Sequence, residues 1–365
     1  MTTPTVVLAG GGSGGHISPG LAIAEALQDV ANDLASHFAC STRPIDAHML
    51  RTADRTWTAL PAAPPTIRPI GAWKFASGFV RSTSRAQEMF KEHHVRAVVL
   101  LGGYVSVPVA HAARKRGIPT ILLNLDCVPG RANRWLQPRA DTVLSAVPTI
   151  TPMAETTTGM PIRRQAQPPA PPDQCRRMLG LDPDRPTLVI TGASQGATTI
   201  NQLASDIARH KRSMLQGWQV IHITGQHMVD DMTHQWADSG IPAVVESFRN
   251  EMGMVWGAAD LVISRAGACS VAEITFAGVP AIYLPYPHHR DQHQRHNATA
   301  AVEAGAAALV EDQVEPTRTL PELLQVLEPL LRDAALLQPL QKAAQDRCGG
   351  DAAHAVASQV INCLK

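Results

Sequence analysis

A chain of 365 residues is too long for one ordinary hydrophobic core and suits two domains of typical size. Hydrophobic residues make up 45% and charged residues 17%, which excludes an intrinsically disordered chain. The formal net charge of +1 leaves no overall field for a polyanion, so nucleic acid is not expected as a partner.

The N-terminus, Met1 to Ala9, runs straight into an apolar strand with no basic stretch ahead of a long apolar one, so no secretory signal is read. No segment approaches the length needed to span a bilayer. Thr5 to Ala9 is rich in β-branched residues. The loop Gly10-Gly11-Gly12-Ser13-Gly14-Gly15 follows, then an apolar-periodic segment from Pro19 to Leu27: strand, loop, helix. The pattern recurs. Ala97 to Leu101 predicts a strand, Gly102-Gly103 a loop, Val107 to Arg116 a helix and Thr120 to Leu123 the next strand. Gln167 to Pro172 reads Gln-Pro-Pro-Ala-Pro-Pro, a stiff and extended linker. Beyond it Thr187 to Thr191 is a strand, Gly192 to Gly196 a loop, and a helix starts near Thr199. Asp260 to Ser264, Arg265 to Ala268, a helix to Ala277 and a strand from Ala281 to Leu284 complete a further unit.

Alternating strands and helices predict α/β architecture: two doubly wound parallel-sheet domains facing a cleft, with ligands at the carboxyl ends of the strands. The expected division is residues 1–162, residues 163–340, and a C-terminal helical stretch, 341–365, packing back on the first domain. The six cysteines are scattered, with no Cys-x-x-Cys pair, and read as reduced thiols.

Glycines let a backbone approach an anion closely, and free amides at a helix start carry partial positive charge. Four glycine loops, at Gly10, Gly102, Gly192 and Gly267, are expected to converge on one cleft. The first also satisfies a dinucleotide fingerprint through Gly10, Gly12 and Gly15. That fingerprint requires an acid after the second strand, here His37 to Ser41. Thr42 and Arg43 stand there instead, which argues against a nicotinamide cofactor. His16 enters the helix after the loop, where the positive helix end disfavours its protonated form, so a neutral imidazole is a candidate general base.

Five ordered motifs resemble the MurG family of glycosyltransferases. Gly11-Gly12-Ser13-Gly14-Gly15-His16-Ile17-Ser18-Pro19 resembles its opening motif, and Gly102-Gly103-Tyr104-Val105-Ser106 its second glycine motif. Gly192-Ala193-Ser194-Gln195-Gly196-Ala197, with Asn201 after it, resembles the third. Ser264 to Ala268 through Glu273 to Pro280 looks like the donor-binding helix, and His293-Gln294 with Asn297-Ala298 like the His-Gln-x-x-Asn-Ala element. The resemblance covers the chain from about Val6 to Ala307.

The resemblance implies a GT-B fold and inverting transfer of N-acetylglucosamine from UDP-GlcNAc to the lipid-linked acceptor lipid I, in peptidoglycan synthesis at the cytoplasmic face of the inner membrane. It implies no cofactor and no metal. On the donor it places Ser13, Gly14, Gly15, Ser194, Gln195, Arg249, Glu273, Gln294 and Asn297. Ser194 and Gln195 go to the diphosphate and nucleoside, Glu273 to the ribose hydroxyls, and Gln294 and Asn297 to the sugar hydroxyls. Arg249 falls where a backbone group reads uracil. Gly103, Tyr104 and Asp126 go to the acceptor side. Arg163 stands at the position of an arginine that neutralises departing UDP, and His222 sits at a matching strand end. The base is His16 or a carboxylate.

The chain departs from the family at Leu123-Asn124-Leu125-Asp126, which replaces His-Glu-Gln-Asn near the acceptor site, and at Met160, which replaces an asparagine. A different acceptor for the same UDP-sugar, or a non-catalytic nucleotide-binding relative, are the alternative readings. From Ile67 to Lys91, apolar Ile67, Ile70, Trp73, Phe75, Phe79 and Val80 mix with basic Arg68, Lys74, Arg81 and Arg85, the pattern of an amphipathic membrane-contact patch. Two features invite a metal reading and are better explained otherwise. His288, His289, His293 and His296 with Asp291 fit a sugar-binding loop, and Asp182-Pro183-Asp184 fits a turn.

Overall fold

Among the described residues every strand pairing is parallel, so connections cross over a sheet face and, within each sheet, the loops after the strands emerge at one edge. The computed structural model describes residues 3–12, 14–64, 66, 69–153, 156–192, 196–288 and 292–364. Two units form, Met1–Arg163 with Asp351–Lys365, and Arg164–Gly350.

The first unit contains β1 (Thr5–Ala9), α1 (Gly14–Val30), β2 (Ala35–Ser41), α2 (Pro44–Thr52), β3 (Trp57–Leu60), α3 (Pro69–Glu92), β4 (Val95–Leu100), α4 (Gly103–Lys115), β5 (Thr120–Asn124), α5 (Arg131–Leu136), β6 (Thr142–Ser145) and β7 (Thr156–Thr157). The second contains α6 (Pro172–Met178), β8 (Thr187–Thr191), α7 (Thr198–His210), β9 (Gln219–Ile223), α8 (Val229–Ser239), β10 (Ala243–Glu246), α9 (Met252–Ala258), β11 (Leu261–Ser264), α10 (Ala268–Phe276), β12 (Ala281–Tyr283), α11 (His293–Glu303), β13 (Ala307–Leu309), α12 (Pro316–Arg332) and α13 (Ala334–Gln345). The last helix, α14 (Ala352–Leu364), belongs to the first unit and packs along α1.

The sheet orders are β3-β2-β1-β4-β5-β6-β7 and β10-β9-β8-β11-β12-β13. In each the order reverses beside the first strand of the unit, between β1 and β4 and between β8 and β11. Loops diverge to opposite faces at that point and leave a crevice. The central strands are buried on both faces, which explains why their sequences are continuous apolar runs and do not alternate: Val6, Val7, Leu8 and Ala9 are all fully buried.

The structure differs from the expectations in three places. The proline-rich stretch 167–172 is not a spacer between units; it packs on α9 inside the second unit. Gly253 and Gly257, one turn apart, make room for it: a Cβ on Gly253 would lie 2.1 Å from the Gln167 carbonyl oxygen, and one on Gly257 3.2 Å from Pro168. The chain returns to the first unit at Asp351 and not at 341, because α13 packs against α12. The expected membrane patch becomes one long helix, α3, whose two faces divide its apolar residues. Phe79 turns inward, its ring 5.5 Å from that of His111 on α4, while Trp73 and Val80 are 71% and 63% exposed. Arg85 is tied to Glu88 and Glu92 along the helix. Ile67 and Arg68 lie outside the described residues.

Candidate functional site

In the first unit the two glycine loops after β1 and β4 meet at the topological reversal, and the ring of His16 is seated between them. His16 is the third residue of α1, and its Nδ1 is 3.1 Å from the carbonyl oxygen of Gly11. A carbonyl can only accept, so Nδ1 carries the proton and Nε2 is the basic nitrogen. Gly102 and Gly103 both have positive φ, at 101° and 74°, and a Cβ on them would lie 3.4 Å from His16 Nε2 and 3.3 Å from His16 Cε1. Both positions are thus held by glycine for backbone conformation and for the imidazole's space. Tyr104 covers the other side of the loop, its hydroxyl 3.2 Å from where a Cβ of Gly12 would stand.

The amide of Gly12 does not wait for an anion. It donates to Asp46 Oδ2 (2.8 Å), which also accepts from the amide and the hydroxyl of Ser41 (3.1 and 2.6 Å). Asp46 is fully buried beneath the loop. Arg43 Nη1 donates to the Gly12 carbonyl (2.5 Å). The acid nearest the glycine fingerprint is therefore turned under the loop, away from any ribose. Gly14 and Gly15 form the first turn of α1, where helix-start amides lie; Ser13 lies outside the described residues.

The replaced segment after β5 closes the same crevice. Asn124 Nδ2 donates to the Asp126 carbonyl (2.7 Å) and to Ser145 Oγ (3.2 Å), and its Oδ1 accepts from Asn133 Nδ2 (3.0 Å). Asn133, on α5, brings its Oδ1 within 2.9 Å of the Cβ position of Gly102. Asn133 and Asp46 are both absent from the sequence reading. Each stands in the first turn of a helix, Asp46 on α2 and Asn133 on α5, and reaches a loop or strand end distant in the chain, which only the folded topology reveals.

In the second unit the residues of interest again follow strand ends. Gly196 has φ 73°, and a Cβ there would meet the Thr224 carbonyl oxygen at 2.5 Å, so the loop after β8 lies directly on the loop after β9. Ser194 and Gln195 lie outside the described residues. Asn201 Nδ2 donates to the Thr224 carbonyl (2.8 Å) and its Oδ1 accepts from His222 Nε2 (3.1 Å), while Trp236 Nε1 donates to His222 Nδ1 (3.2 Å). His222 is fully buried, and burial pushes its pKa down to about 3. It is a neutral internal strut, with no nitrogen left for a ligand.

Glu273 on α10 accepts from Trp256 Nε1 on α9 (3.1 Å). Arg249, after β10, is paired with Glu246 through Nε (2.8 Å) and Nη2. Gln294 Oε1 accepts from the Tyr286 amide (2.9 Å), and Asn297 Nδ2 donates to the Ala266 carbonyl (3.2 Å), so the two ends of this polar run brace the loops after β12 and β11. Arg265, buried between them, pairs with Asp312 (2.6 Å) and lies 5.7 Å over the Tyr286 ring. Arg163 closes the first unit, half-buried. Asp182 and Asp184 form a turn, the Asp184 amide donating to Asp182 Oδ1 (3.0 Å). Of the histidine-rich loop, His289 and Asp291 lie outside the described residues. Among the described residues no three His, Cys, Asp or Glu side chains converge as metal ligands.

A family model described as the glycosyltransferase family 28 N-terminal domain matches residues 6–145, and one described as the family 28 C-terminal domain matches residues 187–349. A UDP-N-acetylglucosamine–N-acetylmuramyl-(pentapeptide) pyrophosphoryl-undecaprenol N-acetylglucosamine transferase of a Nocardioides species is 36% identical over 363 residues, 98% of this chain and 97% of that protein. The transferase of the same name from Geobacter metallireducens is 31% identical over 365 residues, 98% of each. The crystal structure of Acinetobacter baumannii MurG superposes with a TM-score of 0.75 at 25% identity, over 99% of both chains. The architecture of two parallel-sheet, Rossmann-like domains is GT-B.

Proposed function

The chain belongs to the MurG family of glycosyltransferases, and from that premise we propose that it transfers N-acetylglucosamine from UDP-GlcNAc to lipid I, giving lipid II with inversion at the anomeric carbon. The observation that carries the chemistry is His16, with Nδ1–H committed to the Gly11 carbonyl and Nε2 left as the proton acceptor. The acceptor hydroxyl attacks the anomeric carbon. Its proton passes to His16 Nε2 as the new C–O bond forms and the bond to the UDP oxygen breaks.

In this reading Glu273 receives the ribose hydroxyls, and the indole N–H of Trp256 sets the direction of its carboxylate. Gln294 and Asn297 hold the sugar. Ser194, Gln195 and the start of α7 take the diphosphate with Arg163, which answers the charge that develops on departing UDP. Arg249, held by Glu246, stands beside the uracil-reading backbone. Ser13, Gly14 and Gly15 are assigned to the donor, and Gly103, Tyr104 and Asp126 to the acceptor side. The enzyme meets the membrane peripherally, from the cytoplasmic side, through α3. Trp73 and Val80 are two turns apart on one face, flanked by Lys74 and Arg81 at the same spacing. Among the described residues no helix is long and apolar enough to cross a bilayer.

The test is transfer of label from radiolabelled UDP-GlcNAc into a short-chain lipid I analogue, with EDTA present. Labelled lipid II supports donor, acceptor and metal independence together. Clear UDP-GlcNAc binding with no transfer to lipid I would overturn the acceptor assignment and direct attention to residues 123–126.

A further inference from the structure

One peptide unit joins a buried carboxylate to the imidazole of His16. The N–H of Gly12 donates to Asp46 Oδ2 at 2.8 Å. The C=O of Gly11, the other end of the same peptide, accepts from His16 Nδ1 at 3.1 Å. The peptide is planar and trans, so its N–H and C=O point in opposite directions, and fixing one end aims the other. We propose that Asp46 is the positioning residue for His16, acting through the Gly11–Gly12 peptide much as a carboxylate acts directly on a catalytic histidine. The proposal rests on the reading of His16 as the general base.

Three observations support it. Asp46 is itself immobilised, since Oδ2 also takes the amide and hydroxyl of Ser41 at the end of β2. The opposite side of Gly12 is held from the same segment, by Arg43 Nη1 on its carbonyl, so the loop is gripped at two points by residues 43–46, the end of the β2–α2 connection and the first turn of α2. The close approach also demands glycine: a Cβ on Gly11 would lie 2.5 Å from Asp46 Oδ2 and 2.8 Å from the Ser41 amide. The electrostatics act in the same sense. A carboxylate accepting from the amide N–H polarises the peptide and makes its carbonyl a better acceptor, which favours the Nδ1–H tautomer and stabilises the imidazolium formed during transfer. Asp46 is fully buried, so its influence on the reacting atoms passes through the loop.

The decisive variants are Asp46→Asn, which keeps the shape and an acceptor for the Gly12 and Ser41 amides while removing the charge, and Asp46→Ala. The full chain is labelled with ¹⁵N-histidine and the His16 signals are assigned by their loss in His16→Gln. In the unsubstituted protein Nε2 is expected at the shift of an unprotonated nitrogen. In Asp46→Ala the two ring nitrogens are expected to move toward the averaged shifts of exchanging tautomers, with a smaller movement in Asp46→Asn. In the transfer assay Asp46→Asn is expected to lower kcat about tenfold, the scale on which residues that orient a functional histidine act, with KM for UDP-GlcNAc within about twofold. That loss should vanish in a His16→Gln background. Equal losses with and without His16, or His16 shifts unchanged in both variants, would overturn the proposal and leave Asp46 a loop anchor only. Should Asp46→Ala fail to fold, Asp46→Asn carries both measurements. Should the protein transfer nothing to lipid I, the nitrogen shifts still decide, separately from the functional reading.

Discussion

Gly103 lies against the ring of His16: a Cβ placed on it would stand 3.3 Å from His16 Cε1 and 3.1 Å from the Gly11 carbonyl that holds Nδ1. It also sits at φ 74°, a conformation that disfavours a side chain by about 1–2 kcal/mol. Gly103→Ala is therefore expected to lower stability by about that amount and to push the imidazole off its seat. A 3.3 Å contact asks the imidazole to give by a few tenths of an ångström, less than the 1 Å misplacement that costs about a hundredfold, so kcat should fall by about tenfold while UDP-GlcNAc affinity holds. Calorimetric titration of UDP-GlcNAc beside the transfer assay checks this. A normal kcat in a folded Gly103→Ala protein would remove His16 from the role of base.

Glu273 and Trp256 make a paired prediction. A hydrogen bond to an ionised group contributes about 1.5–3 kcal/mol, so Glu273→Gln is expected to raise KM for UDP-GlcNAc by about ten- to a hundredfold if the carboxylate takes the ribose hydroxyls. Trp256→Phe removes the N–H that directs Oε2 together with part of a buried ring, while leaving the carboxylate itself in place. Its KM should rise less, and the double variant should be no worse than Glu273→Gln alone. Additive effects in steady-state kinetics would show that Trp256 acts on the donor by another route.

Two buried histidines make the fold acid-sensitive. His37, stacked on His93 at 4.1 Å with both nitrogens on Thr56 and Thr58, has its pKa lowered to about 4, mainly by burial and then by His93 and Arg85. His222 is lowered to about 3 by burial. Below pH 6.5 the unfolded chain takes up protons that the folded chain refuses until those lower values. Stability is thus full above 6.5 and falls as the pH drops through it, by about 2 kcal/mol per histidine at pH 5. Thermal melts between pH 7.5 and 5 should show the decline, and His222→Gln should flatten its slope whatever it does to stability at neutral pH. An unchanged slope would mean His222 is not the refusing group.

The central strands β1, β4, β8 and β11 were legible in the sequence because strands buried on both faces leave continuous apolar runs, and each of these four runs ended at a glycine loop, whereas β3, β6, β7, β10 and β13 carry no such signal. The glycines themselves were harder to place. Gly14 and Gly103 read as loop, yet each opens a helix, since glycine adopts helical and non-helical backbone with equal ease. The proline stretch 167–172 was misread because local stiffness says nothing of what it packs on, and Gly253 and Gly257 lie 80 residues and more away in the chain. Of the site, His16 and its glycines were visible as a motif. Asp46, Asn133 and Trp256 were not, because an acid, an amide and an indole outside any motif acquire meaning only when the packing of their helices brings them to a partner.

The exposed face of α3 gives a prediction that separates charge from apolar contact. Lys74 and Arg81 are seven residues apart, as are Trp73 and Val80, so both pairs point the same way as the helix turns. Arg85 is paired with Glu88 and Glu92, so among the described basic residues of the proposed membrane face Lys74 and Arg81 are the ones to test for attraction to an anionic bilayer. Each basic group near such a surface is worth about 1 kcal/mol, so Lys74→Gln with Arg81→Gln should weaken binding to vesicles containing anionic lipid by about thirtyfold. The loss should shrink as salt is raised, because the attraction is screened. Trp73→Ala with Val80→Ser should weaken binding to neutral and anionic vesicles alike, with little dependence on salt. Sedimentation with vesicles at two salt concentrations distinguishes the two contributions, and unaltered binding in both double variants would move the membrane contact to another face of the protein.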